Sequence, residues 1–387
     1  MPLITTNGCH TFYRLDGPDN APVIVLAHSL GLDHTMWDPQ ASDLSRHFRV
    51  LRYDLRGHGA SSTTPGDYTV DQLGQDLLAL ADALGIQTFA IAGVSLGGLI
   101  GQSLATHAPE RLTHLVVASS SAKPDSAAME ARRQAVLQGG MESVQESVLA
   151  RFFSPHVVQA NPPVVASARR VLRSTNPEGY MGCVAAVRDA DYTAVLGRIT
   201  VPTLVIGTDA DPAMPWPTHG QRVATSIPGA TTVMLRGAHL SNLESPRAFG
   251  AALFQFLLPP TGDVHAAGMK IRRATLGDDY VDAAIAASTD FTRSFQDYVT
   301  RTAWGALWAR PGLAPATRRL VTIAISASLG RWEEFRLHVR TGLSHELEAC
   351  DLEEILLQVA VYAGVPAANT AFHIAREELT ADRRTTS

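Results

Sequence analysis

The chain of 387 residues, 45% hydrophobic and 18% charged with a formal net charge of −5, can build a sizeable core and carries no basic footprint for nucleic acid. That length allows two domains. Three cysteines, Cys9, Cys183 and Cys350, lie far apart and never form a CxxC pair, which predicts a reducing, cytoplasmic setting and argues against a disulfide framework or zinc knuckle. The amino end, "MPLITTNGCHTFYRLDG", has neither a basic start nor an unbroken apolar core, so no signal peptide is expected. No run approaches the length that crosses a bilayer, so no membrane partner is expected either.

Six short apolar runs bounded by turn formers then read as buried strands: "APVIVLAHSLG", "FRVLRYDLRGHG", "FAIAGVSLGG", "LTHLVVASSS", "VPTLVIGTDAD" and "ATTVMLRGAH". Helical periods lie between them, such as Val70, Leu73, Leu77, Leu80 and Leu84. Alternating strands and helices predict an α/β fold, a parallel sheet covered on both faces with functional residues at the carboxyl ends of its strands. Residues from about 123 to 196 contain no buried-strand run and should form a helical cap over that edge.

Ser95 is the centre of Gly93-x-Ser95-x-Gly97, between a strand and a helix. So sharp a turn needs small residues on both sides, lifts the hydroxyl clear of the sheet and leaves the next N–H at a helix start. Asp211 and His239 follow later strands, and the order Ser, Asp, His is that of an α/β-hydrolase triad. The chemistry needs all three, because an imidazole must take the serine proton and a carboxylate must orient the imidazolium. Asp209 is the rival acid, but Asp211 precedes Pro212 in the usual form. His28, His58 and His107 read as structural, and Arg56 with Gly57 and Gly59 as a loop-stabilising turn. The N–H groups of Leu30 and Leu96 should complete an oxyanion hole. Trp37 is a candidate pocket wall, with a core aromatic as the plainer alternative.

"AHSLGLDHTMWDPQ", "YDLRGHGAS", "GVSLGGLIGQ" and "AHLSNLESP" together resemble the β-ketoadipate enol-lactone hydrolases, a branch of the α/β-hydrolases, over roughly residues 1–258. The resemblance implies a lactone substrate with a free carboxylate, which calls for a cation near the cap; Arg132 and Arg133 are the candidates.

Residues 259–264 read as a Pro- and Gly-bearing linker, and 265–387 as an all-α unit of successive helices, the first of them running through "VDAAIAASTDFTRSFQDYVTRTAWGALWAR". In "DLEEILLQVAVYAG", Leu352, Ile355, Leu356 and Val359 form an apolar face, with Asp351 and Glu354 at a capping-box-like start. "RWEEFRLHVR" places Glu334 and His338 four residues apart on one helix face, able to form a proton relay. On spacing alone the plainer reading comes first, an exposed pair worth ~0.2–0.5 kcal/mol. No metal site is expected, since no second histidine completes HExxH, and no cofactor is needed.

"GMKIRRATLGDDYVD", "WGALWARPGL", "TRRLVTIAI", "EEFRLHVR" and "VYAGVPAANTAFH" together resemble 4-carboxymuconolactone decarboxylase, a family related to the alkylhydroperoxidases but without their cysteine pair. The resemblance implies that Glu334 and His338 lie on the active-site helix, with Arg301, Arg318, Asn369 and His373 as cleft candidates, and that the helical unit assembles a homo-oligomer. Thr302 stands where the family often has histidine, so that position is not assigned. Together the two resemblances imply a bifunctional enzyme of the protocatechuate branch of the β-ketoadipate pathway; the alternative is a general esterase or lactonase with a carboxyl-terminal oligomerisation module.

Overall fold

The apolar runs of the amino-terminal part pair into one eight-stranded sheet: β1 (Leu3–Thr6), β2 (Cys9–Asp16), β3 (Val23–Ala27), β4 (Arg49–Tyr53), β5 (Phe89–Val94), β6 (Leu112–Ala118), β7 (Thr203–Thr208) and β8 (Thr231–Leu235). The computed structural model describes residues 2–257 and 264–385, with side chains to residue 381. It divides the chain into two units, Met1–Leu257 and Leu258–Ser387. The linker expected at 259–264 falls outside the described residues except for Val264, which already starts a helix, Val264–Leu276.

In the first unit the strand order is β1-β2-β4-β3-β5-β6-β7-β8. Strands β3 to β8 pair in parallel, while β1 and β2 form an antiparallel hairpin on the β4 edge. The chain passes from β3 to β4 on one side and returns with β5 on the other, so the carboxyl ends of β3 and β5 flank a switch in strand order, where α/β sheets place their sites. Ala27 and Gly93 are partners in register there.

Leu73, Leu77 and Leu80 bury one face of the helix Val70–Ala83, and the Thr69 hydroxyl caps it by accepting from the Gln72 amide. Residues between β6 and β7 carry the helices Ser126–Gly139, Glu142–Phe152, Pro155–Ala160, Pro163–Ser174 and Pro177–Asp189, and no strand. Two glycines fix one edge of this insertion. Gly57, at φ 77°, lies so close to Gly179 that a Cβ on it would meet the Gly179 Cα at 2.4 Å.

The second unit is wholly helical among its described residues. Ile323, Phe335, Val339, Leu352, Leu356 and Ala371 form its main core. The expected first long helix is instead three pieces, Asp278–Ala286, Asp290–Val299 and a π-helical stretch Thr300–Trp308. Thr289 interrupts it by capping a new helix reciprocally with Thr292. Gly268 and Gly305 let Val264–Leu276 and the π stretch touch backbone to backbone, since a Cβ on Gly268 would lie 2.1 Å from the Thr300 carbonyl oxygen. The capping box before the Leu352 helix sits one turn earlier than expected, between Glu348 and Asp351, so the helix begins at Ala349. No helix among the described residues is long and apolar enough to cross a membrane.

Candidate functional site

In the first unit Ser95 joins β5 to the helix Leu96–His107 at φ 57° and ψ −114°, a conformation costing about 1–3 kcal/mol for a residue other than glycine. The neighbours leave no choice of side chain. A Cβ on Gly93 would lie 2.1 Å from the Gly97 backbone, and one on Gly97 would lie 2.2 Å from the Ala27 carbonyl oxygen. The turn is held by the Ser95 amide donating to Ala118 O at 2.9 Å and by the Ser120 hydroxyl donating to Ser95 O at 2.7 Å.

His239 Nδ1 and Asp211 Oδ2 are 2.9 Å apart and both side chains are buried. Burial opposes ionisation of Asp211, but the adjacent His239 and the amides of Ala213 and Met214, donating to Oδ1 at 2.8 and 2.9 Å, hold its pKa below the usual carboxylate value. Asp209 is exposed and accepts from the Gly237 amide at 3.0 Å, so the acid that meets the imidazole is Asp211. Phe152 of the cap stacks on the His239 ring, with centroids 6.0 Å apart. No hydrogen bond joins Ser95 Oγ to His239 among the described residues; such contacts commonly tighten only when substrate is bound.

Two amides are expected as oxyanion donors. That of Leu96 opens its helix and has no intrahelical acceptor. In the loop after β3, Ser29 N donates to Met36 Sδ, Gly31 N to His58 Nε2 at 2.9 Å and Leu32 N to Ser29 O, which leaves the Leu30 amide uncommitted among the described residues. His28 links the same loop to the next, accepting from the Leu55 amide at 2.9 Å while its Nδ1 lies 2.8 Å from Ser29 O. Arg56 is buried and grips Asp76 through Nε and Nη2 at 2.8 and 2.6 Å.

One cause, burial, disfavours charge on both His28 and His58. Burial lowers the pKa of His28, and burial followed by the nearby His28 pushes that of His58 down to about 3 from an ordinary 6.5. The unfolded chain therefore binds protons below pH 6.5 that the folded chain refuses, and stability falls as pH drops through that window. By pH 5, His58 alone should cost about 2 kcal/mol of folding free energy. Urea unfolding at pH 7 and pH 5 measures the loss, and an NMR titration placing His58 above pH 6 would refute its assigned cause.

Glu244, quoted within "AHLSNLESP" but given no role from sequence, ties the His239 loop to the cap. Its carboxylate accepts from the Ser154 amide at 2.7 Å, from the Ser154 hydroxyl at 3.2 Å and from the Ala238 amide. Gly237, at φ 123°, has room only for hydrogen, because a Cβ would meet the Glu244 carboxylate at 2.5 Å. The acidic residue beside an unavoidable glycine was the available signal.

Two expectations for this unit change. Trp37 is fully buried against Phe249, centroids 5.8 Å apart, and is a core aromatic with no surface left for a pocket wall. Arg133 is engaged by Asp67 at 3.2 Å. Arg132 forms no ion pair among the described residues and lies close enough to the Tyr180 hydroxyl to act on it as a hydrogen-bond donor.

In the second unit the helix Trp332–Leu343 turns His338 inward. Its ring lies against Trp308 and Trp304, with centroids 5.6 and 6.5 Å away, and its Nδ1 is buried without a partner. Burial first, then the positive charge of Arg319, pushes its pKa down to about 4, so it is neutral near pH 7. Arg319 is fully buried, and donates to Glu346 Oε1 at 2.6 Å, to the Thr341 hydroxyl and to Thr275 O at 2.8 Å. Gly342 makes room for it, since a Cβ there would lie 2.7 Å from the Arg319 Cδ.

The other expected members do not gather around that ring. Glu334 is exposed and makes no hydrogen bond to His338, so the predicted relay is absent: the helix's buried stripe takes the histidine and leaves the glutamate in solvent. Arg301 pairs at the surface with Asp297 at 2.9 Å. Asn369 is exposed, as is His373, which lies 3.1 Å from Glu377. Arg318 is buried but spends Nη2 on Arg310 O at 2.9 Å. Sequence reasoning missed Arg319, Trp304 and Trp308, all within the quoted motifs "TRRLVTIAI" and "WGALWARPGL".

Residues 22–246 match the pattern of the alpha/beta hydrolase fold family, and residues 293–377 that of the carboxymuconolactone decarboxylase family. The chain is 38% identical over 242 residues to 3-oxoadipate enol-lactonase 2 of Acinetobacter baylyi, an alignment spanning 62% of this chain and 90% of that protein. It is 41% identical over 110 residues to 4-carboxymuconolactone decarboxylase of the same organism, spanning 28% of this chain and 82% of that protein. Among solved structures, the enol-lactonase of Burkholderia xenovorans LB400 superposes with a TM-score of 0.65 at 38% identity, covering 66% of this chain and 100% of that one.

Proposed function

Because the chain belongs to the alpha/beta hydrolase fold family and carries a carboxymuconolactone decarboxylase family domain after it, we propose that one polypeptide catalyses two consecutive steps. The second unit decarboxylates 4-carboxymuconolactone to β-ketoadipate enol-lactone, and the first hydrolyses that lactone to β-ketoadipate, within the protocatechuate branch of aromatic degradation. The observation that carries this reading is the pairing, in a single chain, of similarity to two enzymes of which one makes the other's substrate.

In the decarboxylation the substrate supplies its own electron sink. The departing carboxylate is conjugated through a carbon–carbon double bond to the lactone carbonyl, so loss of CO2 leaves a dienolate. Neutral His338 can donate a hydrogen bond to the lactone oxygen as it gains charge, in the field of Arg319 behind it. The dienolate then takes a proton at carbon from solvent water, since the helix leaves Glu334 exposed and apart from His338.

In the hydrolysis Ser95 attacks the lactone carbonyl while His239 accepts its proton and Asp211 stabilises the imidazolium. The Leu30 and Leu96 amides receive the oxyanion, and His239 returns the proton to the leaving enol oxygen. The enol becomes a ketone, which makes ring opening effectively irreversible, and water then releases the acyl-enzyme by the same relay. The deciding experiment is the fate of 4-carboxymuconolactone given to the intact chain, alone and with the nucleophile removed.

The second unit also supports assembly into a homo-oligomer. Val321 and Ile325 of one helix and Leu357 and Val361 of another are exposed, as are Phe291 at 94% and Tyr362 at 85%. A single copy with so much exposed apolar surface in one small unit is unusual. Sedimentation velocity should show more than one chain per particle, and replacing Ile325 and Val361 by glutamate should shift the particle toward monomer. A monodisperse monomer at micromolar concentration would refute it.

A further inference from the structure

We infer that Glu244 is a positioning residue for the hydrolysis: its carboxylate clasps the cap to the His239 loop, so that the cap sets where the general base stands relative to Ser95. This rests on the hydrolase reading of the first unit and adds to it a group outside the triad.

His239 stands on a loop between β8 and the short helix Ser241–Glu244, and that loop is held from two sides. On the sheet side, Asp209 accepts from the Gly237 amide at 3.0 Å and Gly237 O accepts from the Ala210 amide at 3.2 Å. On the cap side, the Leu240 amide donates to Phe152 O at 3.0 Å, and the Phe152 ring lies within 9° of parallel to the imidazole. Two residues along, backward from Leu240 and forward from Phe152, the amides of Ala238 and Ser154 both donate to Glu244, that of Ser154 at 2.7 Å. Leu240 with Phe152, then Ala238 with Ser154, step in opposite chain directions as the rungs of an antiparallel pair do. In the second rung a carboxylate takes the place of the carbonyls.

Ala238 and Ser154 are both buried, so their amides depend on a partner, and Glu244 supplies it. A carboxylate suits the place because it only accepts, and its two oxygens take both amides and the Ser154 hydroxyl at once. Glutamine has one such oxygen and would turn an N–H toward the other amide. Asp211 fixes one end of the imidazole, at 2.9 Å from Nδ1. The loop backbone sets how far the other nitrogen lies from Ser95 Oγ, and the clasp gives that setting to the cap. A shift of the cap therefore moves the base with it, and misplacement on the order of 1 Å can cost about 10²-fold in rate.

The test is hydrolysis of p-nitrophenyl acetate by the full chain carrying Glu244→Gln or Ser154→Pro. The second severs the clasp from the cap side alone. Ser154 has φ −60° and ψ 148°, angles that proline adopts, and Phe153 before it is extended at φ −128° and ψ 151°, as proline requires. The substitution deletes the amide and hydroxyl that reach Glu244 and leaves the Ala238 contact in place. In both variants kcat per folded molecule should fall by roughly 10- to 100-fold with KM within twofold of wild type, since ground-state binding is kept and alignment is lost. The double variant should be within twofold of the slower single, because both changes remove the same bond. A merely structural role would lower Tm and leave kcat of the folded molecules unchanged. A kcat within twofold of wild type in Ser154→Pro overturns the link to the cap, as do losses that multiply in the double variant. Should either single variant fail to fold, the other is judged by the same twofold limit. Failure of the hydrolase reading looks different, because Ser95→Ala would then leave hydrolysis intact.

Discussion

Ser95→Ala given 4-carboxymuconolactone will release CO2 at the wild-type rate and stop at the enol-lactone. The reason is local: the substitution removes one oxygen from the turn between β5 and its helix and leaves the second unit's chemistry untouched. Loss of a triad serine costs on the order of 10⁵-fold or more in turnover, so hydrolysis should fall to the spontaneous rate. The measurement is the time course of both lactones and of β-ketoadipate by chromatography. If Ser95→Ala still makes β-ketoadipate faster than uncatalysed hydrolysis, Ser95 is not the nucleophile and the assignment of the first unit fails. The fold should survive, because alanine meets the same backbone demand as serine at φ 57°.

His338→Ala should give the complementary defect. Decarboxylation should drop by about 10²–10⁴-fold, while enol-lactone supplied directly is hydrolysed normally. Removing the ring deletes the polar group lying against Trp304 and Trp308 and leaves buried Arg319 without its neighbour. Glu334→Ala, at an exposed position, should cost far less. Equal losses in the two variants would restore the relay that spacing suggested, and normal decarboxylation by His338→Ala would remove this helix from the chemistry.

The inner parallel strands were legible because they are short apolar runs that the sheet buries on both faces, as in "FAIAGV". The β1–β2 hairpin was written just as plainly, in Asn7-Gly8 with φ of 49° and 69° between two alternating segments. It was overlooked because half-exposed edge strands lack a continuous apolar run. The turn at Ser95 and its glycines were readable because its geometry dictates its own composition. The helical unit was harder. Which stripe of the Trp332–Leu343 helix faces inward depends on what packs against it, and four-residue spacing gives Glu334 and His338 the same standing. The π-helical turn at Thr300–Trp308 rotates the tryptophans in a way no regular period announces. Trp37 misled for a related reason, since size and position near the site say nothing about which side of the loop is solvent.

The backbone contact between Gly57 and Gly179 links the cap to catalysis by inheritance as well as by geometry. Neither position can acquire a side chain without parting the two segments, so residues far apart in the chain must drift as one. The cost would not stay in the cap. The turn holding Gly57 also carries His58, whose ring fixes the Gly31 amide beside Leu30, the proposed oxyanion donor. A change of cap for new substrates therefore meets a constraint at its last helix, which is tethered through Gly57 to the turn that carries His58.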